Sequence, residues 1–310
     1  MKITERGFNG EGDKLAMAAL AYAFPEGNLH VADLPYRLSS WGLDDPGNAR
    51  LWVDPAGQIL GWAVLQTSWW VIDYAMHPEA GEDLHRQILA WAEERAWQSL
   101  ETPYGHPAWF VNVFTGQSDR ILDLESAGWA PQTDVGEDSW SKVLLRRPGQ
   151  APIARYRLPA GFVLRPLAGE SEVEAYVDLH QTVFESKNMT AVWRRRALQH
   201  PDYMPDLDLV AEAPDGRLAA FCIAWLNRHS DGGPFGQIEP LGCHPDFRRY
   251  SLGRLLLLEG LRRLQACGVQ SVTVETDHYR NTAFELYQSV GFEVVQDVLV
   301  YRKDFTARQG

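Results

Sequence analysis

The chain has 310 residues, of which 45% are hydrophobic and 11% aromatic, a composition that is typical of globular proteins and excludes a disordered chain. Its formal net charge of -12 disfavours nucleic acid as a partner, because binding along a phosphate backbone depends on clustered Lys and Arg. The segment MKITERGFNGEGD lacks the apolar stretch of a secretory signal, and nowhere do about 18 apolar residues run together, so we expect no membrane partner and a cytoplasmic location.

Two hairpin-like stretches of the chain resemble each other. LWVDPAGQILGWAVL (51–65) and LVAEAPDGRLAAFCIAW (209–225) each predict a strand, a Pro-x-Gly turn and a second strand. Other residues recur at nearly the same offset, which indicates two copies of one domain. The matched residues are Arg6 and Arg165, Pro55 and Pro214, Gly57 and Gly216, His77-Pro78 and His244-Pro245, and Gly128-Trp129 and Gly291-Phe292.

The join between the two copies falls in RRPGQAPIARYRLPAG (146–161). Its content of Pro, Gly and Arg is typical of an exposed linker. We therefore predict one domain over residues 1–150 and another over residues 151–310. Both lengths are usual for a domain with its own hydrophobic core.

The second copy is predicted as a mixed order of helices and strands. EVEAYVDLHQTVF predicts a helix from its apolar residues at i, i+3 and i+4 spacing, and GQIEPLGCHP then predicts a strand. A leucine-rich helix follows and stops near Gly268, a natural residue just past a helix end. VQSVTVET predicts a strand, NTAFELYQSVGF a helix and EVVQDVLVYR a final strand. The core face of the leucine-rich helix is predicted to be Leu255, Leu258, Leu261 and Leu264.

Between a predicted strand and the leucine-rich helix lies RRYSLG (248–253). The first turn of a helix leaves about four N–H groups unpaired and carries a partial positive charge, so phosphates bind there. Arg248, Arg249 and Arg254 add positive charge, and Gly253 lets the backbone approach a ligand closely. The arrangement predicts a pyrophosphate-binding loop.

This loop and the later segment NTAFELYQSVGF resemble the Gcn5-related N-acetyltransferase (GNAT) superfamily. The acetyl-CoA loop of that family reads Q/R-x-x-G-x-G/A, and its later helix reads N-x-x-A-x-x-L-Y-x-x-x-G-F. Arg248 and Gly253 match the first and last positions of the loop motif, whereas Ser251 stands where the family usually has glycine. The residues that match the helix motif are Asn281, Leu286, Tyr287, Gly291 and Phe292, with Ala283 two residues after Asn281 where the motif has three.

The resemblance implies an α/β fold with two tandem GNAT-like domains, each a mixed, mostly antiparallel sheet flanked by helices. It also implies acetyl-CoA as co-substrate and no metal. Acetyl-CoA would lie where two parallel strands separate, with its pantetheine paired to the backbone as an added strand and its phosphates on the loop amides. The implied cofactor-binding residues are Leu241, Gly242, Cys243, Arg248, Arg249, Tyr250, Ser251, Leu252, Gly253, Arg254 and Asn281.

Acetyl transfer from a thioester to an amine needs a proton acceptor for the amine and a proton donor for the departing thiolate. By resemblance, Tyr287 is the candidate donor. Glu239 is the candidate base, directly or through water, and Glu275 and His278 on the adjacent strand end are rival bases. Cys243 as an acyl-carrying nucleophile is disfavoured, because the sequence positions no separate His and acid to activate it.

The first copy departs from the family pattern at both motifs. Glu79, Glu82 and Asp83 stand where the phosphate loop would be, and three carboxylates there would repel a polyphosphate. Leu124 stands at the position of Tyr287 in the second copy. We therefore predict a degenerate GNAT-like domain over residues 1–150.

These expectations combine into an acetyl-CoA-dependent N-acetyltransferase that acts on the amine of a small molecule by direct attack in a ternary complex. Two alternatives stay open, a non-catalytic acyl-CoA-binding sensor and a pseudo-GNAT interaction protein. The sequence leaves open which amine is the acceptor and whether the protein is a monomer or a homodimer.

Overall fold

The structure is a computed structural model, and it describes residues 2–81, 83–134, 141–228, 233–277 and 281–306. The described residues form two compact units. Unit 1 takes in residues of Met1–Val143, Asp277 and Gln296–Gly310, and unit 2 takes in residues of Leu144–Thr276 and Arg280–Val295.

Unit 1 consists of one sheet with helices. Its helices are α1 (Glu11–Ala23), α2 (Leu34–Arg37), α3 (Asp83–Ser99) and α4 (Ser118–Ser126). Its strands are β1 (Thr4–Gly7), β2 (Ala49–Val53), β3 (Ile59–Gln66), β4 (Val71–Met76), β5 (Ala108–Phe114), the short β6 (Ala130–Pro131) and most of β13 (Glu293–Asp304). The sheet order is β1-β2-β3-β4-β5-β13, and only the β4–β5 pair is parallel.

Strand β3 is buried along its whole length because helices cover both faces of the sheet. On one face, the Trp62 indole N–H donates to the Met17 carbonyl of α1 at 2.9 Å. On the other face, Gly61 lies against Leu84 of α3, so closely that a Cβ on Gly61 would come within 2.9 Å of the Leu84 side chain. Alternation of side chains along a strand thus gives each helix its own row of β3 residues.

Unit 2 repeats this architecture. Its helices are α5 (Val173–Phe184), α6 (Ala191–Gln199), α7 (Leu252–Ala266) and α8 (Asn281–Ser289). Its strands are β7 (Lys142–Pro148), β8 (Val163–Pro166), β9 (Asp208–Glu212), β10 (Leu218–Asn227), β11 (Phe235–Cys243) and β12 (Ser271–Asp277). The sheet order is β7-β12-β11-β10-β9-β8, with β11 and β12 parallel.

Helix α7 confirms the predicted core face. Leu255, Leu258, Leu261 and Leu264 are all buried, and the helix packs on β10 and β11. The helix ends just before Gly268, whose φ of +77° lies in the left-handed region that a residue after a helix end often adopts. The leucine stripe therefore serves packing.

Equivalent side-chain contacts in the two units confirm the internal repeat. In unit 1, Arg6 donates to the Asp13 carboxylate at 2.7 Å, and that carboxylate also accepts from the Asn9 backbone N–H at 2.7 Å. In unit 2, Arg165 donates to Glu172 at 2.8 Å, and Glu172 accepts from a backbone N–H at 2.7 Å. The backbone donor in unit 2 belongs to Ala168. The spacing along the chain is the same in both copies, so equivalent contacts hold the turn after β1 and the turn after β8.

Most residues of the segment 146–161 are exposed or half-buried, but Arg147 within it is buried. Arg147 is 2% exposed. Its guanidinium donates to the carbonyls of Val290 at 2.9 Å, Ala151 at 3.1 Å and Pro152 at 2.9 Å. Five N–H donors allow one guanidinium to satisfy several carbonyls at once, which makes this burial tolerable. Burial lowers the pKa of Arg147.

The two units also divide the chain differently from a cut at residue 150. Leu144–Pro148 of β7 belongs to unit 2, next to β12, whereas Gln296–Asp304 of β13 belongs to unit 1, antiparallel to β5. The last strand of each half therefore completes the sheet of the other unit. The predicted limits 1–150 and 151–310 come from the sequence repeat. They do not take account of strand pairing, because the sequence of a strand does not indicate which sheet it joins.

Candidate active site

Strands β11 and β12 separate towards their carboxyl ends. Their parallel register runs from Phe235 beside Ser271 to Gln237 beside Thr273. Beyond Gln237, the described residues of the two strands form no further pairs. The peptide groups of the last part of β11 that face β12 are thus left without a strand partner, which is where the resemblance expects a ligand to pair.

A β-bulge lies in the separated part of β11. Cys222 of β10 lies opposite Leu241, but Ala224 lies opposite Ile238, so β11 has an extra residue between these pairs. Glu239 is in the bulge, and its carbonyl accepts a hydrogen bond from the Trp225 indole N–H at 2.7 Å. The bulge is therefore held by a buried tryptophan.

The predicted pantetheine-binding residues Leu241, Gly242 and Cys243 end β11, before Pro245 begins a short 3₁₀ turn. A Cβ on Gly242 would lie 2.6 Å from the Phe221 ring. Close packing against the neighbouring strand therefore already requires glycine at this position. All three residues flank the opening between β11 and β12.

The predicted phosphate loop precedes α7 and contains two non-glycine residues in the left-handed region. Arg249 has φ +78° and Ser251 has φ +58°. Such residues are uncommon and cost of order 1 kcal/mol each, and they concentrate at functional sites. Ser251 thus adopts the conformation that glycine, the usual residue of the family motif, adopts without strain.

The backbone amides of this loop are free to bind a ligand. No acceptor among the described residues takes a hydrogen bond from the N–H groups of residues 249–254. Arg248, Arg249 and Tyr250 have exposed side chains, and Arg254 is half-buried in the first turn of α7. Unpaired amides at a helix N-terminus flanked by arginines can hold a phosphate group.

Gly253 tests whether this loop fits a bulky anionic ligand. A Cβ built on Gly253 would meet nothing closer than the Leu286 side chain, at 3.9 Å. The protein itself therefore does not require glycine here, and the glycine leaves open space over the first turn of α7. A Cβ would project into that space, which glycine leaves open to the close approach of a phosphate group.

Helix α8 adjoins the phosphate loop through Leu286. The next residue, Tyr287, is 7% exposed, and its ring lies edge-on to Phe292 with centroids 5.8 Å apart. Asn281 begins α8 as predicted, but its side chain lies outside the description, as does the rival base His278. The motif tyrosine is thus buried in a helix whose Leu286 lies near Gly253, and its role as proton donor stays a prediction.

The two remaining candidate bases lie on the two separated strands. Glu239 is half-buried in the bulge of β11, and Glu275 is half-buried on β12. Neither the fold nor the burial distinguishes between them. The assignment of the base to Glu239 stays a prediction.

Cys243 and His244 are unsuited to nucleophilic catalysis. Burial raises the pKa of Cys243 to about 11, so its thiol stays protonated at neutral pH. The Nδ1 atom of His244 accepts a hydrogen bond from the Asp246 backbone N–H at 3.1 Å and thereby stabilises the turn after β11. This agrees with direct transfer to the acceptor.

One buried polar cluster of unit 2 is absent from the sequence analysis. Arg194 of α6 is fully buried and forms an ion pair with Asp208, which also accepts from the Tyr203 hydroxyl at 2.7 Å. The Arg194 guanidinium lies 3.9 Å from the centroid of the Tyr176 ring. Burial alone would lower the pKa of Arg194, but Asp208 and its other neighbours outweigh it and raise that pKa. The run RRR (194–196) resembles an exposed basic helix face, so no sequence signal indicates this burial.

Two features are absent from the described part of the chain. Within it, no group of three or more His, Cys, Asp or Glu side chains is placed to hold a metal ion. No helix in the same ranges is long and apolar enough to cross a membrane.

Family and sequence comparisons agree with this geometry. Residues 173–292 match the model of the acetyltransferase (GNAT) family. The mycothiol acetyltransferase of Thermobispora bispora is 30% identical over 165 residues, which are 51% of this chain and 56% of the relative. That of Kineococcus radiotolerans is 36% identical over 148 residues, 46% of each chain. The chain thus matches about half the length of these curated relatives.

Solved structures confirm the predicted tandem fold. A GCN5-related N-acetyltransferase from Sphaerobacter thermophilus has a TM-score of 0.63 at 20% identity, over 97% of this chain and 95% of that one. A tandem GNAT protein from the clavulanic acid biosynthesis pathway has a TM-score of 0.65 at 13% identity, over 99% and 100% of the two chains. Residues 173–292 thus match the GNAT acetyltransferase family, and the chain shares the fold of tandem GNAT proteins.

Proposed function

We propose that this protein is an acetyl-CoA-dependent N-acetyltransferase that acetylates the amine of a small molecule by direct attack in a ternary complex. The observation that carries the proposal is the loop at residues 248–254, with its unpaired amides, its arginines and the open space over Gly253. The mycothiol acetyltransferase relatives support acetyl transfer as the chemistry.

Unit 2 would hold acetyl-CoA in two places. The loop amides with Arg248, Arg249 and Arg254 would bind the phosphates, and the free edge of β11 at Leu241–Cys243 would pair with the pantetheine. When bound, acetyl-CoA supplies an activated acetyl thioester. The remaining loop residues, Tyr250, Ser251, Leu252 and Gly253, and Asn281 at the start of α8, would complete the cofactor contacts.

Two side chains are proposed to move protons. Glu239, in the bulge of β11, would take the proton of the acceptor ammonium, directly or through water, because an alkylammonium with a pKa near 10 cannot attack until it is deprotonated. Tyr287 would give a proton to the departing thiolate. The raised pKa of Cys243 supports direct attack on the thioester without a covalent enzyme intermediate.

The proposed cofactor site is tested by calorimetric titration of the full chain with acetyl-CoA. We expect one saturable site, weakened about a hundredfold by Arg248→Glu, which turns attraction of the phosphates into repulsion. Arg86→Glu is the matched control, because Arg86 is likewise exposed near the start of a helix, α3 of unit 1, and should leave binding unchanged. Absence of any binding would remove the proposal and favour a pseudo-GNAT interaction protein.

Turnover is tested separately from binding. Release of free CoA thiol is measured with a panel of polyamines, amino acids, amino sugars and peptides as acceptors. Thiol release with one acceptor, lost in Arg248→Glu, supports the enzyme. Saturable binding of acetyl-CoA without thiol release across the whole panel would instead identify an acyl-CoA-binding sensor.

A further inference from the structure

Unit 1 contains a cavity at the point where its own parallel strands separate. Strands β4 and β5 pair at Val71 and Phe110. The cavity lies between the residues that follow on the two strands, and it opens to solvent. Its polar lining includes Asn28, His30, Asp73, Tyr74, Asn112 and Arg120.

Three buried polar atoms of this lining have no hydrogen-bond partner among the described residues: Asn28 Oδ1, Tyr74 Oη and Asn112 Oδ1. Asn28 is 4% exposed, and its Nδ2 donates to the Phe24 carbonyl at 2.8 Å, which fixes the other end of its amide as the acceptor. Buried acceptors are normally paired, so three orphans around one cavity indicate a missing set of donors.

The loop that carries Asn28 is held in place by its neighbours. Gln117 Nε2 and Arg120 Nη1 both donate to the Gly27 carbonyl, at 3.1 Å and 2.9 Å. The other end of the Gln117 amide accepts from the Phe114 backbone N–H at 3.0 Å. Asn28 is therefore fixed relative to β5, and the cavity is formed before any ligand arrives.

The cavity adjoins one ion pair and one further guanidinium. Asp73 is paired with Arg37 through two hydrogen bonds of 2.7 Å and 2.8 Å. Arg120 contributes one guanidinium, which lies 5.3 Å from the centroid of the Tyr74 ring. This single guanidinium is less than the cluster of cationic groups that a polyphosphate site uses, whereas a ligand rich in O–H or N–H donors matches the orphaned acceptors.

We propose that this cavity is a second binding site, for a small ligand that presents several hydroxyl or amine donors, such as a monosaccharide or a short amine. The ligand would donate to Asn28 Oδ1 and Asn112 Oδ1 and exchange a hydrogen bond with the Tyr74 hydroxyl. The site is in unit 1 and does not depend on acetyl transfer in unit 2.

The test is calorimetric binding of three probes to the full chain: glucose, glucosamine and putrescine. We expect saturable binding of at least one probe. Binding of glucose would identify hydroxyl groups as the donors that the site recognises, and binding of putrescine would identify amines. Asn112→Leu should weaken that probe about tenfold, since it deletes an acceptor. Tyr74→Phe, which removes only a hydroxyl, is the second variant if Asn112→Leu does not fold. Asn9→Leu, at an exposed asparagine of the same unit, is the control and should bind as the unchanged protein does.

The proposal is overturned if none of the three probes binds, or if the binding probe retains full affinity in both Asn112→Leu and Tyr74→Phe. A third outcome would also overturn it: the Arg248→Glu variant binds acetyl-CoA at one site, and the double variant with Asn112→Leu does not. In that case the cavity of unit 1 would hold the coenzyme. Failure of this site leaves acetyl-CoA binding to unit 2 intact, so the two proposals fail independently.

Discussion

The turns before α3 of unit 1 and α7 of unit 2 contain the same histidine–backbone hydrogen bond but lead into residues of opposite charge. In unit 1, His77 Nδ1 accepts from the Glu79 N–H at 3.1 Å, and in unit 2, His244 Nδ1 accepts from the Asp246 N–H at 3.1 Å. After that shared turn, unit 1 continues into acidic residues and unit 2 into arginines. One scaffold thus carries two loops of opposite charge, and under the proposed function only the loop of unit 2 binds a phosphate.

The separated parallel strands differ in the same way. Between β4 and β5, unit 1 encloses a polar cavity with orphaned acceptors. Beside β11 and β12, unit 2 instead presents unpaired loop donors. The two proposed sites would take ligands of opposite hydrogen-bonding character, a hydrogen-bond donor in unit 1 and an anionic acceptor in unit 2.

The largest effect is expected from breaking the buried ion pair of one unit. Arg194 and Asp208 are fully buried in unit 2, whereas Arg37 and Asp73 form the buried pair of unit 1. Arg194→Met leaves a buried carboxylate uncompensated and should lower the free energy of unfolding by about 3 to 5 kcal/mol, measured by urea denaturation. Adding Asp208→Leu should recover much of the loss. A loss below about 1 kcal/mol would contradict the role of the pair.

A smaller effect is expected from filling the space over the phosphate loop. Gly253→Val should weaken acetyl-CoA about a hundredfold without unfolding unit 2, because a Cβ meets only Leu286, at 3.9 Å. Gly12→Val is the matched control, since Gly12 is also the second residue of a helix, α1 of unit 1, and has nothing within 4 Å. Equal acetyl-CoA affinity in both variants would separate the loop from the cofactor.

The two units also differ where unit 2 has Tyr287 and unit 1 has the fully buried Leu124. Tyr287→Phe should lower kcat about ten- to a hundredfold while acetyl-CoA binding stays the same, because only a proton donor is lost. Cys243→Ala should leave kcat unchanged. If Tyr287→Phe retained full turnover, the thiolate would take its proton from another group.

The smallest effect is expected at Ser251. Ser251→Gly should stabilise unit 2 by about 1 kcal/mol in thermal unfolding, because glycine adopts φ +58° without strain. It should also leave acetyl-CoA bound at least as tightly. Weaker binding would show that the serine side chain itself contacts the cofactor.

Sequence periodicity and the two motifs predict most of the helices and strands of unit 2. They do not predict features that depend on residues far apart in the chain. The leucine stripe of α7 is buried as predicted, since a helical period of apolar residues is a local signal. The burial of Arg194 and Arg147 is not predictable in this way, because it depends on carbonyls and carboxylates that lie far away in the chain. Glu82 and His278, two of the residues used in the sequence argument, lie outside the described residues.

The position of the strand at residues 296–304 determines when unit 1 can finish folding during synthesis. Unit 1 contains nearly the whole first half of the chain. Its sheet nevertheless lacks one strand until residues 296–304 emerge from the ribosome. A gene cut after codon 150 would yield two fragments that each carry a strand belonging to the other. Separate expression of the halves should therefore give aggregation-prone products, and co-expression should rescue them.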